Sequence, residues 1–201
     1  MDPVSEVVGR AVPLDRSDVD TDQIIPSDWL KRVERTGFGE GLFSEWRERS
    51  DFVLNQARHD GATILVAGPN FGTGSSREHA VWALQDYGFR AVISSRFADI
   101  FRNNALKTGL VPVVLETETV DSIMRAVDDD PATEIVVDVA ARRVAVPAIA
   151  LDEPFTLDDH SHHRLLHGLD DIGLTLRHEA DVTAFEAQRP PYLPRLGPMP
   201  A

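Results

Sequence analysis

The residues best suited to chemistry lie in a glycine-rich segment, residues 68–80, which reads Gly-Pro-Asn-Phe-Gly-Thr-Gly-Ser-Ser-Arg-Glu-His-Ala. Two hydroxyls, on Ser75 and Ser76, and the guanidinium of Arg77 follow glycines that permit a tight turn. Ser75 and Glu78 have the spacing of a capping box, so a helix is predicted to open here. The first-turn amides of a helix carry a partial positive charge, and arginine binds a carboxylate through two parallel hydrogen bonds. The segment therefore predicts a site for a small anionic substrate.

Glycine turns also occur in nucleotide sites, but neither common motif is present. A Walker loop needs a lysine followed by serine or threonine after its second glycine, and the segment has no lysine. A dinucleotide-binding fingerprint needs a third glycine at the position of Arg77. A structural interpretation stays open, in which Ser75 only caps the helix.

Three aspartates near the N-terminus, Asp18, Asp20 and Asp22, alternate like the start of a calcium loop. Such a loop needs glycine where Gln23 stands and a glutamate where Trp29 stands, so a calcium site is not predicted. We expect these carboxylates instead to cap loops or to orient a basic residue near the site.

Four histidines, His160, His162, His163 and His167, form a second cluster. The zinc-protease signature needs a glutamate at the position of Arg164, so no metal site is predicted. Solvated or interfacial histidines are the interpretation that fits better.

Composition excludes several classes of protein. The chain has 201 residues, 42% of them apolar, and a formal net charge of −13, which opposes binding to nucleic acid or to anionic membranes. It has no cysteine, so it cannot hold an iron–sulfur cluster through thiolates. No apolar run approaches the roughly 20 residues that span a bilayer. Residues 1–10 lack the pattern of a signal peptide, and a cytoplasmic location is expected.

The hydrophobic pattern predicts an α/β fold in a single domain over residues 1–189, followed by a proline-rich tail at 190–201. Residues 26–52 are predicted to form short helical turns and a mobile substrate loop. Strands are predicted at 7–14, 63–67, 91–94, 110–115, 134–139, 142–146 and 149–155. Helices are predicted at 76–87, 97–106, 118–128, 158–167 and 182–188.

Five segments, taken in order, resemble the small subunits of 3-isopropylmalate dehydratase and, more distantly, the swivel domain of aconitase. The segments are 20–26 (Asp-Thr-Asp-Gln-Ile-Ile-Pro), 35–39 (Arg-Thr-Gly-Phe-Gly), 70–80, 97–101 (Phe-Ala-Asp-Ile-Phe) and 168–176 (Gly-Leu-Asp-Asp-Ile-Gly-Leu-Thr-Leu). The resemblance implies a swivelling β/β/α domain with a small barrel-like mixed sheet. It also implies that the chain binds no cofactor of its own and docks on a large subunit that carries a 4Fe-4S cluster.

The reaction that this resemblance implies is the interconversion of 2-isopropylmalate and 3-isopropylmalate through a dehydrated alkene, a step of leucine biosynthesis. By position, Ser75 matches the serine that acts as general base, and Ser76 and Arg77 match substrate contacts. Substrate choice in the superfamily resides largely in the loop that is here 27–36, where Trp29 and Leu30 could face the apolar branch of isopropylmalate. Two alternatives stay open, a related hydro-lyase of the citraconate or homoaconitate type and a non-catalytic anion-binding module.

Overall fold

The computed structural model describes residues 1–31, 36–190 and 192. In this part of the chain, one mixed sheet contains seven strands in the order β4-β3-β2-β1-β5-β6-β7 and curls into a half-barrel. The first four strands run parallel, whereas β5 pairs antiparallel with β1 and continues into the antiparallel β6 and β7. The predicted α/β class with a barrel-like mixed sheet is confirmed. The strands are β1 (Glu6–Leu14), β2 (Ile64–Ala67), β3 (Ala91–Ser94), β4 (Val111–Val114), β5 (Glu134–Asp138), β6 (Arg143–Val146) and β7 (Leu151–Pro154).

Helices connect the parallel strands and close the C-terminal part. They are α1 (Thr21–Ile24), α2 (Ser44–Arg47), α3 (Glu78–Tyr87), α4 (Asp99–Thr108), α5 (Thr117–Asp129), α6 (Asp159–His167), α7 (Asp171–Leu176) and α8 (Glu179–Ala187). Short 3₁₀ turns lie at Ser27–Lys31, Phe38–Gly41, Val53–Asn55, Ala57–His59 and Pro147–Ile149.

Side-chain alternation along the central strands gives the sheet two separate hydrophobic cores. On β2, Leu65 and Ala67 point into the first core, while Ile64 and Val66 point into the second. Both faces are therefore covered, and every residue of β2 and of β3 is buried. Parallel strands covered on both faces read as continuous apolar runs, which is why the sequence shows them clearly.

Different helices cover the two faces. The first core contains the apolar side of α3, namely Ala80, Val81, Ala83 and Leu84. The second core contains the stripe of α5, Val120, Ile123, Met124 and Val127, whose spacing is that of one helical face. The carboxyl ends of β2 and β3 consequently open into loops between two packed layers.

The segment 26–52 contains the predicted short helical turns. Its second half is packed into the first core, where Phe38, Leu42 and Phe43 are fully buried. Residues 32–35 lie outside the described residues. The mobility of the segment stays a prediction.

The C-terminal part differs from the predicted pattern in two places. The helix predicted at 182–188 begins earlier, at Glu179, and α7 is a helix that the apolar pattern does not predict. Of the predicted tail 190–201, residues 191 and 193–201 lie outside the described part of the chain. Within that part, no helix combines the length and the apolar character needed to cross a membrane.

Candidate active site

The glycine-rich turn lies between β2 and α3 and is held between the segments that follow β1 and β3. On one side, the Gly72 amide donates to the Val19 carbonyl at 2.7 Å, and the Thr21 amide donates to the Thr73 carbonyl at 2.9 Å. On the other side, the Phe71 amide donates to the carbonyl of Arg96 at 3.0 Å. Because β1, β2 and β3 are parallel, these three segments leave the sheet at the same edge. The backbone of the turn is thus fixed by its neighbours on both sides.

Two glycines allow this path. Gly72 has φ +78°, and a Cβ there would lie 2.3 Å from Cγ of Phe101. Gly74 has φ +88°, a conformation that residues with a side chain rarely adopt. The turn therefore depends on glycine both for its backbone angles and for the close approach of an aromatic ring.

The predicted capping box of Ser75 and Glu78 is wrong. The helix begins at Glu78, two residues later than expected, and its N-cap is Arg77, which is extended and forms no side-chain cap. The reason lies in a long-range contact, because the carbonyl of Ser75 accepts a hydrogen bond from Oγ1 of the buried Thr21 at 2.9 Å. This bond ties Ser75 to the neighbouring segment and leaves it outside the helix.

The carboxylates of the segment 18–22 do cap and orient, as the sequence predicts. Asp20 is the N-cap of α1, where its Oδ1 accepts from the amide of Gln23 at 2.7 Å and the Gln23 Oε1 accepts from the Asp20 amide at 3.0 Å. Asp18 Oδ1 accepts from Nδ2 of Asn70 at 2.8 Å.

The guanidinium of Arg77 is the cation of the turn. Its Nη1 donates to Oδ1 of Asp22 at 2.5 Å and to the carbonyl of Ile25 at 3.4 Å. The Arg77 side chain is only 17% exposed, so its position is set by packing as well as by the ion pair. An aspartate of the segment 18–22 thus orients a basic residue beside the serines.

The two serines themselves are open to solvent. Ser75 and Ser76 are both exposed, and within the described residues neither hydroxyl forms a hydrogen bond. A cavity of about 470 Å³ borders the turn at Pro69 and Asn70, but neither the serines nor Arg77 line it. This chain alone therefore presents the hydroxyls on an open surface rather than in a closed cleft.

Sequence reasoning does not identify the role of Thr21, which binds the turn at both Thr73 and Ser75. The available signal is its place between two aspartates, Asp20 and Asp22, in the segment that follows β1. Ser75 lies 54 residues further along the chain, and no local sequence pattern indicates its contact with Thr21.

The predicted apolar contacts, Trp29 and Leu30, lie on the turn Ser27–Lys31 and are both half-buried. The indole of Trp29 lies across Gly41, where a Cβ would come within 2.4 Å of the ring. Trp29 also packs against the first core. Their contact with substrate stays a prediction.

The histidine cluster makes local contacts on and beside α6. Arg177 Nη1 lies 2.5 Å from Nε2 of His163, and His167 Nδ1 lies 2.9 Å from the carbonyl of His163. Desolvation, followed by the charges of His167 and Arg177, lowers the pKa of His163. His162 Nδ1 lies 2.9 Å from Nη2 of Arg142. In the described ranges, no three His, Asp or Glu side chains are grouped so that they could hold a metal ion.

Comparison with known proteins places this arrangement in a family. The family model of the aconitase C-terminal domain matches residues 1–118, and the family model of the C-terminal domain of the 3-isopropylmalate dehydratase small subunit matches residues 171–197. A 3-isopropylmalate dehydratase small subunit from Parafrankia sp. is 68% identical over 186 residues, which cover 92% of this chain and 94% of the relative. The chain belongs to the family of 3-isopropylmalate dehydratase small subunits.

Other members of the family match over nearly the whole chain. The small subunit from Rubrobacter xylanophilus is 58% identical over 98% of this chain and 100% of the relative, and that from Streptomyces coelicolor is 58% identical over 97% and 98%. The crystal structure of 3-isopropylmalate dehydratase from Methanocaldococcus jannaschii has a TM-score of 0.68 at 24% identity, covering 90% of this chain and 99% of that one. It supports the fold. The family is named for a small subunit, which implies a large-subunit partner.

Proposed function

We propose that this chain is the small subunit of a 3-isopropylmalate dehydratase, a hydro-lyase subunit that interconverts 2-isopropylmalate and 3-isopropylmalate in leucine biosynthesis. The observation that carries the proposal is the turn itself, where the exposed Ser75 and Ser76 directly precede Arg77, the N-cap residue of α3. Relatives that are 58–68% identical over most of the chain carry this name. We further propose that it works in the cytoplasm and binds neither nucleic acid nor membranes.

The substrate has two carboxylates, and the turn has groups suited to binding one of them. Nη1 of Arg77 is engaged by Asp22, which leaves Nη2 and Nε to donate two parallel hydrogen bonds to a substrate carboxylate. The hydroxyl of Ser76 supplies a further donor. The N-terminus of α3 has no side-chain cap, so its partial positive charge adds to the attraction of the anion.

Ser75 is assigned the role of general base. Its Oγ, in the alkoxide form, takes the proton from the carbon next to a carboxylate and becomes a hydroxyl. The electron pair of that C–H bond forms the carbon–carbon double bond, the C–O bond on the adjacent carbon breaks, and the leaving hydroxide takes up a proton from solvent and departs as water. Readdition of water with the opposite orientation gives the other isomer. A serine hydroxyl is a poor base in water, so the step requires that the exposed surface around Ser75 be covered and dried by the partner. The isolated chain is therefore expected to be inactive.

The 4Fe-4S cluster that the resemblance implies does not fit the donor groups of this chain. The sequence has no cysteine, and the described His, Asp and Glu residues form no metal-binding group. We assign the cluster to the large subunit.

The test is to purify the chain together with its large subunit and to measure turnover of both isopropylmalate isomers. We expect Ser75→Ala to lower kcat by about 10²–10⁴-fold, the usual contribution of a general base. The matched control is Ser122→Ala on α5, whose hydroxyl donates to the Glu118 carbonyl and accepts from Nη2 of Arg125, both on the same helix. This variant should keep full activity. A Ser75→Ala complex with undiminished turnover would refute the role of Ser75.

The same complex decides between substrates. Side-by-side turnover of citraconate and homoaconitate should be much slower than that of isopropylmalate. Faster turnover of either one would favour the related hydro-lyase. If the wild-type complex turns over none of these substrates although the chain still binds them, the non-catalytic anion-binding module would be favoured.

A further inference from the structure

The ion pair between Asp22 and Arg77 joins two segments that are 55 residues apart in sequence. Asp22 lies in α1, after β1, and Arg77 lies at the start of α3, after β2. The contact distance is 2.5 Å from Nη1 to Oδ1, and the same Nη1 lies 3.4 Å from the carbonyl of Ile25. Both acceptors therefore hold the guanidinium from one side.

The backbone that carries Asp22 is itself fixed. The capping box of Asp20 and Gln23 encloses it, and Thr21 binds the turn through its amide and its hydroxyl. The carboxylate of Asp22 thus approaches Arg77 from a rigid support, although its side chain is 55% exposed. Such a contact fixes the direction of a long side chain that would otherwise sample several rotamers.

The opposite edge of the guanidinium stays available. Among the residues that the structure describes, Nη2 and Nε of Arg77 have no hydrogen-bond partner, since both of its hydrogen bonds use Nη1. The planar fork of arginine needs these remaining donors in a defined plane in order to bind a carboxylate with two bonds.

We propose that Asp22 is a positioning residue, which holds Arg77 so that its free edge faces a substrate carboxylate beside Ser75. Asp22 itself touches no substrate. The inference rests on the proposed function, because it takes the carboxylate bound by Arg77 to be that of the substrate.

Two physical effects of Asp22 oppose each other, and this makes the inference testable. Its negative charge partly cancels that of Arg77 and so weakens the attraction of an anion. Its hold on the guanidinium favours binding, since the geometry is set before the substrate arrives. If charge alone mattered, removing the carboxylate would lower KM. Positioning requires that KM rise.

The experiment compares Asp22→Ala and Asp22→Asn in the complex with the large subunit. We expect Asp22→Ala to raise KM for isopropylmalate about 10-fold and to change kcat less than about 3-fold, since a misplacement of about 1 Å can cost up to about 100-fold. Asn keeps one acceptor oxygen and should recover part of the loss. The control Asp152→Asn removes an equivalent exposed partner of an arginine, Arg143 at 2.8 Å on the β6–β7 hairpin, and should leave both constants unchanged.

A double-mutant cycle separates positioning from a general structural role. In an Arg77→Lys background the planar fork is already lost, so adding Asp22→Ala should change KM by less than about 2-fold. Equal effects of Asp22→Ala in both backgrounds would overturn the inference, and so would a lowered KM in the single variant.

A second readout does not depend on activity. In the full chain, the heteronuclear ¹⁵N NOE of the Arg77 Nε–H group reports how rigidly the side chain is held. We expect a high value in the wild type and in Asp152→Asn, and a clear fall in Asp22→Ala. If the wild-type complex is inactive but shows this NOE pattern, the proposed function is refuted, whereas the contact by which Asp22 orders Arg77 is supported. An unchanged NOE in Asp22→Ala would overturn the inference whatever the activity.

Discussion

At Gly72 two separate requirements meet in one residue. Its φ of +78° is costly for an L-residue, and an added Cβ would lie 2.3 Å from the ring of Phe101, which is buried. We expect Gly72→Ala to lower the free energy of unfolding by about 2–5 kcal/mol, the sum of left-handed backbone strain and overpacking. Urea unfolding of the isolated chain measures this loss.

The matched control for this prediction is Gly88→Ala. Gly88 also has a positive φ, +122°, but an added Cβ there would meet nothing within 4 Å, so only backbone strain is introduced. The loss should be smaller than at Gly72, and Phe101→Leu should relieve part of the Gly72→Ala defect and none of the Gly88→Ala defect. Equal losses at the two glycines would show that the contact with Phe101 is unimportant.

The candidate site shows which single-residue features a sequence can reveal. The types and spacing of Ser75, Ser76 and Arg77 predict an anion site, and the aspartates of 18–22 are recognised as capping and orienting groups. The helix start is not predicted. Two pairs have capping-box spacing, Asp20 with Gln23 and Ser75 with Glu78, yet only the first forms the box. The choice depends on the bond from Thr21 to Ser75, which joins distant parts of the chain.

At the scale of elements, α8 is weakly connected to the rest of the molecule. None of its side chains is buried, and Phe185 is 71% exposed. We expect removal of residues 179–201 to shift Tm by less than about 2 °C, because none of the described side chains in this segment is buried and 1 kcal/mol corresponds to roughly 2–4 °C for a chain of this size. Calorimetry of the shortened and full chains measures the shift.

A longer truncation provides the contrast. Removing residues 171–201 also removes Asp171, whose Oδ1 lies 2.9 Å from Nη2 of Arg164, a side chain that is only 10% exposed. Leaving that charge without its carboxylate should lower Tm clearly more than the shorter truncation does. If the shorter truncation alone caused a large fall, α8 would have to be part of the folded core.

The predicted elements follow the strength of the local signal. The sequence predicts the buried strands β2 and β3 and the helix α5 within a residue or two, and the two strands are visible as continuous apolar runs. The six-residue α7 has no buried side chain, so its sequence carries no amphipathic pattern, and its visible signal is the cap in which Asp170 accepts from the Gly173 amide at 2.7 Å. The apolar residues of 38–52 have no regular period and so predict a loop, yet Phe38 and Phe43 are core residues.

For the whole molecule, the decisive feature is that two cores share one sheet. Neighbouring residues of β2 face opposite sides, so the same backbone supports both cores. Because both cores pack on the same strands, unfolding of the strands that support one core would also disrupt the other core. This organisation favours the single domain predicted for residues 1–189, with one cooperative unfolding transition.

The positions of the tryptophans allow this prediction to be tested. The chain has three, Trp29, Trp46 and Trp82, and all of them pack against the first core. Tryptophan fluorescence therefore reports on one face of the sheet, whereas far-UV circular dichroism reports on strands and helices on both faces. We expect the two urea transitions to have the same midpoint and the same slope, as a two-state unit requires. A fluorescence transition at clearly lower urea than the dichroism transition would mean that the two sides unfold separately, and the single-domain prediction would then be wrong.

A Val137→Ala variant, which opens a cavity only in the second core, should shift both midpoints equally if the faces are coupled.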